Sequence, residues 1–273
     1  MTELRTRQED PPAWTALRRY TDARIALGRV GASLSTREVL DFDLAHARAR
    51  DAVQIPLDTS ALEGQLHEAG FTTLHAHSRA ATRSEYLRRP DLGRQLAPEC
   101  RETLGTRDPT GHRLTLVVAD GLSALAAVRH ATPMLIELRD RLTGWSLDAV
   151  IIATQSRVAL ADEVGELRSS EALAIMIGER PGLSSPDSLG IYMTYAPRRG
   201  RTDAERNCIS NVRSGGLSYG EAAFRLHYLL EQARLQGQSG IAVKDLSVST
   251  GDSANSRSRL FPCKEEKAAK LNL

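Results

Sequence analysis

The second half of the chain carries a succession of short apolar runs, each followed by a stretch of helical or polar character, and this alternation limits the fold more than any other feature. LTLVVAD (114–120) ends in Asp120 and Gly121. Helical spacing follows from Ser123 through Leu142, with a break or kink expected at Pro133, whose ring removes a backbone donor. LDAVIIAT (147–154) is the next strand, followed by a helix around 158–168. ALAIMIG (172–178) is a third strand, IYMTYAP (191–197) a fourth, and 220–236 a further helix. Strands that are apolar throughout are buried on both faces, so the pattern predicts an α/β fold with a mostly parallel sheet and helices on both of its faces. Ligands of such sheets bind beyond the carboxyl ends of the strands. Here those ends are Asp120-Gly121-Leu122-Ser123, Ala153-Thr154-Gln155-Ser156-Arg157, and a segment starting at Gly178-Glu179-Arg180. Ser123, between a strand and a helix, reads as an N-cap.

The region before the strands reads differently. Trp14, Leu17, Tyr20 and Arg24 recur at helical spacing, as do Val39, Leu40, Leu44 and Ala47, so residues 12–70 are expected to be helical. Ser35 with Glu38 offers a capping box, and Asp58 or Thr59 starts a second helix through Leu62 and Leu66 that stops at Gly70. Between them ALGRVGASL (26–34) is expected to be a helix connector, turned at Gly28 and Gly31. The expected organisation is a helical N-terminal region over 1–105, a sheet domain over 106–246 and a mobile tail over 247–273. All four lysines (244, 264, 267, 270) fall after residue 243, and the final stretch loses hydrophobic periodicity.

Several function classes are disfavoured. A net charge of +2 argues against a broad nucleic-acid footprint. No apolar stretch of 18 residues is present, and MTELRTRQEDPPAW lacks the apolar segment of a secretory signal. Cys100, Cys208 and Cys263 are sparse, odd in number and widely spaced, which points to reduced thiols in the cytosol. His75 and His77 share a face if they lie on a strand, but a metal needs further ligands, and a solvated loop is the preferred reading; no metal is expected. Neither GxGxxG after the first strand nor GxxxxGK[ST] occurs, so a nucleotide cradle of either kind is weakly supported.

Two polar stretches remain. GERPGLSSPDSLG (178–190) is far longer than a turn requires and mixes rigid proline with permissive glycine. RTDAERNCISNVRSGG (201–216) reads as a structured turn around Cys208. From the residues alone, Cys208 is a small packing residue or a nucleophile, with packing preferred; His227, the nearest candidate base, lies on a helix. Glu179 and Arg180 pair with each other or face water, and Val158 packs at the start of a helix.

GERPGLSSPDSLGIYMTYAP followed by TDAERNCISN closely resembles the light chain of ethanolamine ammonia-lyase. VVADGLSA (117–124), RPDLGRQL (89–96), the Lys244-Asp245 pair, LGRVGAS and LAHARARDAV resemble that family too, so the likeness runs from about Trp14 to Asp245. The resemblance implies a subunit of an adenosylcobalamin-dependent enzyme that splits ethanolamine into acetaldehyde and ammonia by radical chemistry. A heavy chain would hold the substrate and the adenosyl side. This chain, with a helical N-terminal part and a Rossmann-like C-terminal part, would cover the other side of the corrin and contribute no catalytic residue. No DxHxxG motif is present, which agrees with a cobalamin that keeps its own base on cobalt. The family's light-chain cobalamin contacts fall here on Val158, Glu179 and Cys208. Arg157, Arg180 and Arg213 are further candidates for recognising the cofactor's amides or phosphate. The resemblance also implies a cytoplasmic hetero-oligomer, with packaging in a bacterial microcompartment left open, and no nucleic-acid or membrane partner. Two alternatives stand beside it: a stand-alone α/β enzyme using Cys208 as nucleophile, and a non-catalytic scaffold built on the N-terminal helices.

Overall fold

In a computed structural model, residues 16–105 and 112–247 are described. Trp14 and the tail beyond 247 lie outside the described residues. The architecture is mixed α/β. Strands β1 (Arg29–Val30) and β2 (Ser33–Leu34) form a small hairpin. Helices α1 (Thr36–Gln54) and α2 (Thr59–Glu68) follow, then β3 (Thr73–His77), α3 (Arg83–Arg88), α4 (Pro98–Leu104), β4 (Arg113–Ala119) and α5 (Ala124–Arg139). The chain continues through β5 (Ser146–Leu147), β6 (Val150–Thr154), α6 (Val158–Leu167), β7 (Ala172–Gly178), β8 (Leu189–Tyr195), β9 (Arg206–Val212) and α7 (Tyr219–Gln236).

The main sheet runs β3-β6-β4-β7-β8-β9, with the short β5 beside β4. Strands β3, β6, β4 and β7 are parallel neighbours, and β5 pairs with β4 in the same sense. The fourth expected strand, β8, runs antiparallel to β7, and β9 runs antiparallel to β8. Antiparallel neighbours need no helical crossover, and a loop alone joins β7 to β8.

The apolar runs are explained by burial on both faces. Along β4, Leu114, Leu116 and Val118 enter one core with α2, α5 and α7, while Val117 and Ala119 enter a second core beside α4 and α6. Residues of β6 and β7 divide in the same way, as Ile152 against Ile151 and Met176 against Ile175. Each fully buried Leu, Ile or Met contributes roughly 1.5–3 kcal/mol relative to exposure.

Caps match their sequence signals. Ser35 accepts from the backbone N–H of Glu38, Asp58 from that of Ala61 and Ser123 from that of Ala126. Pro133 sits inside α5 without ending it.

Four expectations need correction. Residues 12–70 are not helical throughout: 26–34 contains the β1–β2 hairpin, with Gly31 at φ 64 supplying its turn. His75 lies on edge strand β3 rather than in a loop, its Nε2 hydrogen-bonded to Glu63 at 3.0 Å. Residues 73–77 therefore join the sheet, ahead of the expected boundary at 105/106. The polar stretch around Cys208 is strand β9. Its composition misleads because an edge strand keeps one face in solvent: Cys208, Ser210 and Asn211 are exposed, while Ile209 and Val212 are buried.

Helix α1 stands apart. Of its 19 residues only Ala52 is buried, while Val39, Leu40, Phe42 and Leu44 are exposed. The hairpin before it exposes Val30 and Leu34 as well.

Candidate functional site

The carboxyl ends of β6, β4 and β7 lie side by side, and a buried ion pair ties the first two together. Asp120, directly after β4, accepts hydrogen bonds from the backbone N–H groups of Gln155 (2.8 Å) and Ser156 (3.0 Å), which follow β6. Arg83 of α3 reaches the same carboxylate at 2.9 Å and also donates to the carbonyls of Gly121 and Val53. Burial pushes the Asp120 carboxyl up, and the Arg83 charge and the two N–H donors oppose that push. Arg83 thus connects α1, β4 and the turn that leads into α6.

On the other side, the turns after β4 and β7 touch backbone to backbone. Leu122 donates to the Gly178 carbonyl at 2.9 Å. A Cβ at Gly178 would stand 2.0 Å from the Ser123 carbonyl oxygen, so only glycine admits this approach.

The loop 179–188 then folds back on α5. The Ser123 hydroxyl donates to the Pro186 carbonyl. Arg129 pairs with Asp187 at 2.8 Å, and the buried His130 lies 3.5 Å from the same carboxylate while its Nδ1 shares a hydrogen bond with the Tyr219 hydroxyl. Burial lowers the pKa of His130. Burial works against the Asp187 charge, yet Arg129 and His130 hold its carboxyl below the usual range. The loop is therefore a clasped segment with a defined path.

Glu179 opens this loop. Its backbone N–H donates to the Ser188 carbonyl. Its carboxylate accepts from the Ser188 hydroxyl and from the backbone N–H of Asn211, both oxygens lying 3.3 Å from that nitrogen. Its side chain also lies across Gly190, where a Cβ would meet Oε1 at 3.0 Å. Glu179 and Arg180 do not pair with each other. Glu179 joins the end of β7 to the bulged end of β9, where Asn211 adopts φ 63.

Gly190 and Tyr192 alternate on the sheet face that packs toward α6, and Tyr192 stands directly opposite Cys208. Cys208 is exposed; its Sγ lies 3.2 Å from the Ser210 hydroxyl, and Tyr192 faces it from the neighbouring strand. Burial first, and then the neighbouring Cys208 and Glu179, raise the pKa of Tyr192, so the phenol keeps its proton. The buried-packing reading of Cys208 is thus overturned. A nucleophile reading gains nothing, because the side-chain partner of Cys208 is the Ser210 hydroxyl, and α7, which carries His227, packs on the opposite face.

Val158 begins α6, where the N-cap residue Arg157 offers no side-chain acceptor to the first turn. Val158, Ala159 and Tyr192 line one open cleft of about 500 Å³ together with Pro90, Arg94, Arg157 and the 201–206 segment. Val158, Glu179 and Cys208 come from three different elements: Val158 shares a cleft with Tyr192, Cys208 stands directly opposite Tyr192, and Glu179 bonds the backbone of Asn211 farther along the strand of Cys208. Of the further arginines, Arg157 lines this cleft, whereas Arg180 and Arg213 do not; Arg213 donates to the Asn211 side chain. Tyr192 itself escapes a sequence reading because it sits inside an apolar strand pattern. Its only signal is the strand period of two, which sets it on the opposite face from Ile191 and Met193.

Residues 11–244 match the family described as "Ethanolamine ammonia-lyase light chain (EutC)". The chain is 53% identical over 249 residues to the ethanolamine ammonia-lyase small subunit of Ralstonia nicotianae, covering 87% of this chain and 92% of the relative. The small subunit of Azotobacter vinelandii is 53% identical over 90% of this chain and 92% of its own length, and that of Xanthomonas campestris pv. campestris (strain B100) is 52% identical over 92% and 97%.

Proposed function

The chain belongs to the ethanolamine ammonia-lyase light-chain family, and on that premise we propose that it is the cofactor-binding, non-catalytic subunit of an adenosylcobalamin-dependent ethanolamine ammonia-lyase. The observation that carries the proposal is the placement of Val158 and Tyr192 in one cleft, with Cys208 directly opposite Tyr192 and Glu179 tied to the same strand at Asn211. A corrin is wide and rimmed with amides, and it calls for polar groups spread over an open surface rather than a compact cradle. The groups here fit that demand: the N–H donors of the first turn of α6, a phenol, a thiol, a carboxylate and the buried Arg157 Nε, which has no hydrogen-bond partner. None of the residues lining the cleft is a histidine, and the proposal keeps the cofactor's own base on cobalt.

When bound, adenosylcobalamin supplies the radical chemistry that converts ethanolamine to acetaldehyde and ammonia. This chain's residues bind, orient and shield. Val158 presents the start of α6. Glu179 holds β9 in register with the end of β7, which fixes the position of Cys208. Tyr192, its pKa raised by burial, backs Cys208 from the neighbouring strand. The Asp187 clasp keeps the loop from swinging away and admitting water.

A large-subunit partner goes with the small-subunit names of the relatives. Helix α1 and the β1–β2 hairpin, apolar and uncovered, are the surface that supports its docking. Among the described residues no helix is long and apolar enough to cross a membrane. A cytoplasmic hetero-oligomer, inside or outside a microcompartment, accompanies the proposal.

The deciding experiment is titration of adenosylcobalamin into this chain with and without the heavy chain. Cofactor-dependent turnover of ethanolamine only when both are present supports the reading. Turnover by this chain alone, or cobalamin affinity unchanged in both Glu179→Ala and Cys208→Leu complexes, would overturn it.

A further inference from the structure

Helix α1 is bare along most of its length, yet its last turn is tied to the interior of the molecule. The Val53 carbonyl is among those at the carboxyl end of a helix that no intrahelical N–H satisfies, and Arg83 Nε donates to it at 2.9 Å. The Arg83 side chain is 10% exposed, and its Nη1 donates at 2.9 Å both to Asp120 Oδ2 and to the Gly121 carbonyl. Its Nη2 is buried with no acceptor, so none stands ready to replace a bond that is lost. A single guanidinium is thus shared between the end of α1 and the end of β4.

The turn after β6 rests on two side chains, and both of them touch Arg83. Asp120 accepts from the Gln155 and Ser156 N–H groups, and the fully buried Tyr86 donates to the Ser156 carbonyl at 3.0 Å. The Arg83 guanidinium lies 5.0 Å from the centre of the Tyr86 ring. The polar backbone groups of this turn are therefore held by residues whose own positions follow the guanidinium. Arginine suits this place and lysine does not, because a planar fork reaches separate acceptors at once while an ammonium acts as a point charge.

Helix α1 is the element that can change state. Ala52 is its only buried residue, and segments with few buried contacts open locally well before the whole chain unfolds. Opening of its last turn withdraws the Val53 carbonyl from Arg83. A partner laid over Val39, Leu40, Phe42 and Leu44 suppresses that opening.

We propose that Arg83 is a positioning residue that couples partner docking on α1 to the turn over 155–157, and so to the setting of Val158. The inference rests on the heavy-chain docking and cofactor readings above and adds a route between them: α1 to Arg83, Arg83 to Asp120 and Tyr86, and these two to the turn. By linkage the coupling runs both ways, so a cofactor held at that turn also steadies α1 for the partner.

The test reads amide exchange at Gln155 and Ser156. In the isolated chain, Arg48→Gly loosens α1 from an exposed position inside the helix, and both amides are expected to exchange about twofold to fivefold faster. In Arg83→Lys, which keeps a charge beside Asp120 but loses the fork, Arg48→Gly is expected to leave them unchanged. Acceleration of equal size in the Arg83→Lys background overturns the inference, as does equal acceleration at the core amides of Leu173 and Ile175. In the reconstituted two-chain complex, heavy-chain binding is expected to slow both amides more in wild type than in Arg83→Lys, since direct shielding acts on the two alike. Adenosylcobalamin affinity of the Arg83→Lys complex is expected to fall by about threefold to tenfold, and unchanged affinity counts against the coupling as decisively as unchanged exchange. If heavy-chain binding leaves α1 exchange unaltered, the docking reading fails and the inference with it. If α1 slows while Gln155 and Ser156 respond equally in wild type and Arg83→Lys, the inference fails and the docking reading stands.

Discussion

Replacing Asp120 by Asn isolates the contact that joins the end of β4 to the turn after β6. The side chains of Asp120 and Arg83 are 2% and 10% exposed, and they meet at 2.9 Å. Asn has the same shape but no charge, and its NH2 group has only donors to face where Asp120 received Arg83, Gln155 and Ser156. Removing one member of a buried pair leaves the other charge uncompensated, a loss of about 3–5 kcal/mol. At about 2–4 °C per kcal/mol for chains near this size, Tm should fall by about 6–20 °C. A double-mutant cycle completes the argument. Arg83→Met alone strands the carboxylate, while Arg83→Met with Asp120→Asn strands nothing charged, so the double variant should be more stable than the sum of the single losses by about 2 kcal/mol or more. The measurement is urea unfolding by circular dichroism on the isolated chain, with m-values checked for constancy. Additive single losses, or an Asp120→Asn midpoint equal to wild type, would refute the pairing as the source of stability.

The same geometry yields further expectations. Glu179→Ala removes two hydrogen bonds to a carboxylate and should destabilise the chain by about 1.5–3 kcal/mol, with faster amide exchange at Asn211; unchanged Asn211 protection would count against its role as a tie. In the assembled enzyme Cys208→Ser should keep cobalamin affinity within a few fold, and Cys208→Leu should lower it by about tenfold or more through bulk beside Tyr192; the reverse order would defeat the steric argument. Protection of the 179–188 amides should fall on acidification. The folded pKa of His130 lies below its ordinary 6.5, so the unfolded chain takes up that proton first and the stability it represents is lost as pH drops below about 6.5. Asp187, with a lowered folded pKa, holds its share until pH falls below about 3.8. Intrinsic-rate-corrected exchange that is the same at about pH 7.5 and about pH 5.5 would contradict the sign for His130, and exchange that is unchanged between about pH 5 and about pH 2.5 would contradict that for Asp187. Exchange along α1 should slow when the heavy chain binds, and identical profiles would remove α1 from the interface.

Legibility in the sequence followed burial. β4, β6 and β7 were readable because both faces are packed, which leaves an uninterrupted apolar run. β9 was not, because the exposure of Cys208, Ser210 and Asn211 gives an edge strand the composition of a turn. The same holds for β3, where His75 is exposed and only Ala76 is buried. Chain direction in the sheet was also hidden: nothing local distinguishes a long hairpin loop from a helix-free crossover. Val158, Glu179 and Cys208 entered through motif resemblance, since each has an ordinary structural explanation in isolation. Arg83 with Asp120 and Tyr192 with Cys208 are pairs distant in sequence, the first by 37 residues, and no periodicity connects them. Asp187 and His130 form a pair of the same kind.

The bareness of α1 reaches beyond recognition to the life of the chain in the cell. A helix that shows Val39, Leu40, Phe42 and Leu44 to water offers chaperones and proteases a handle for as long as nothing covers it. Any partner that binds the folded chain draws material out of that pool by mass action. A partner that covered α1 would thereby raise the steady-state amount of this chain without changing its rate of synthesis.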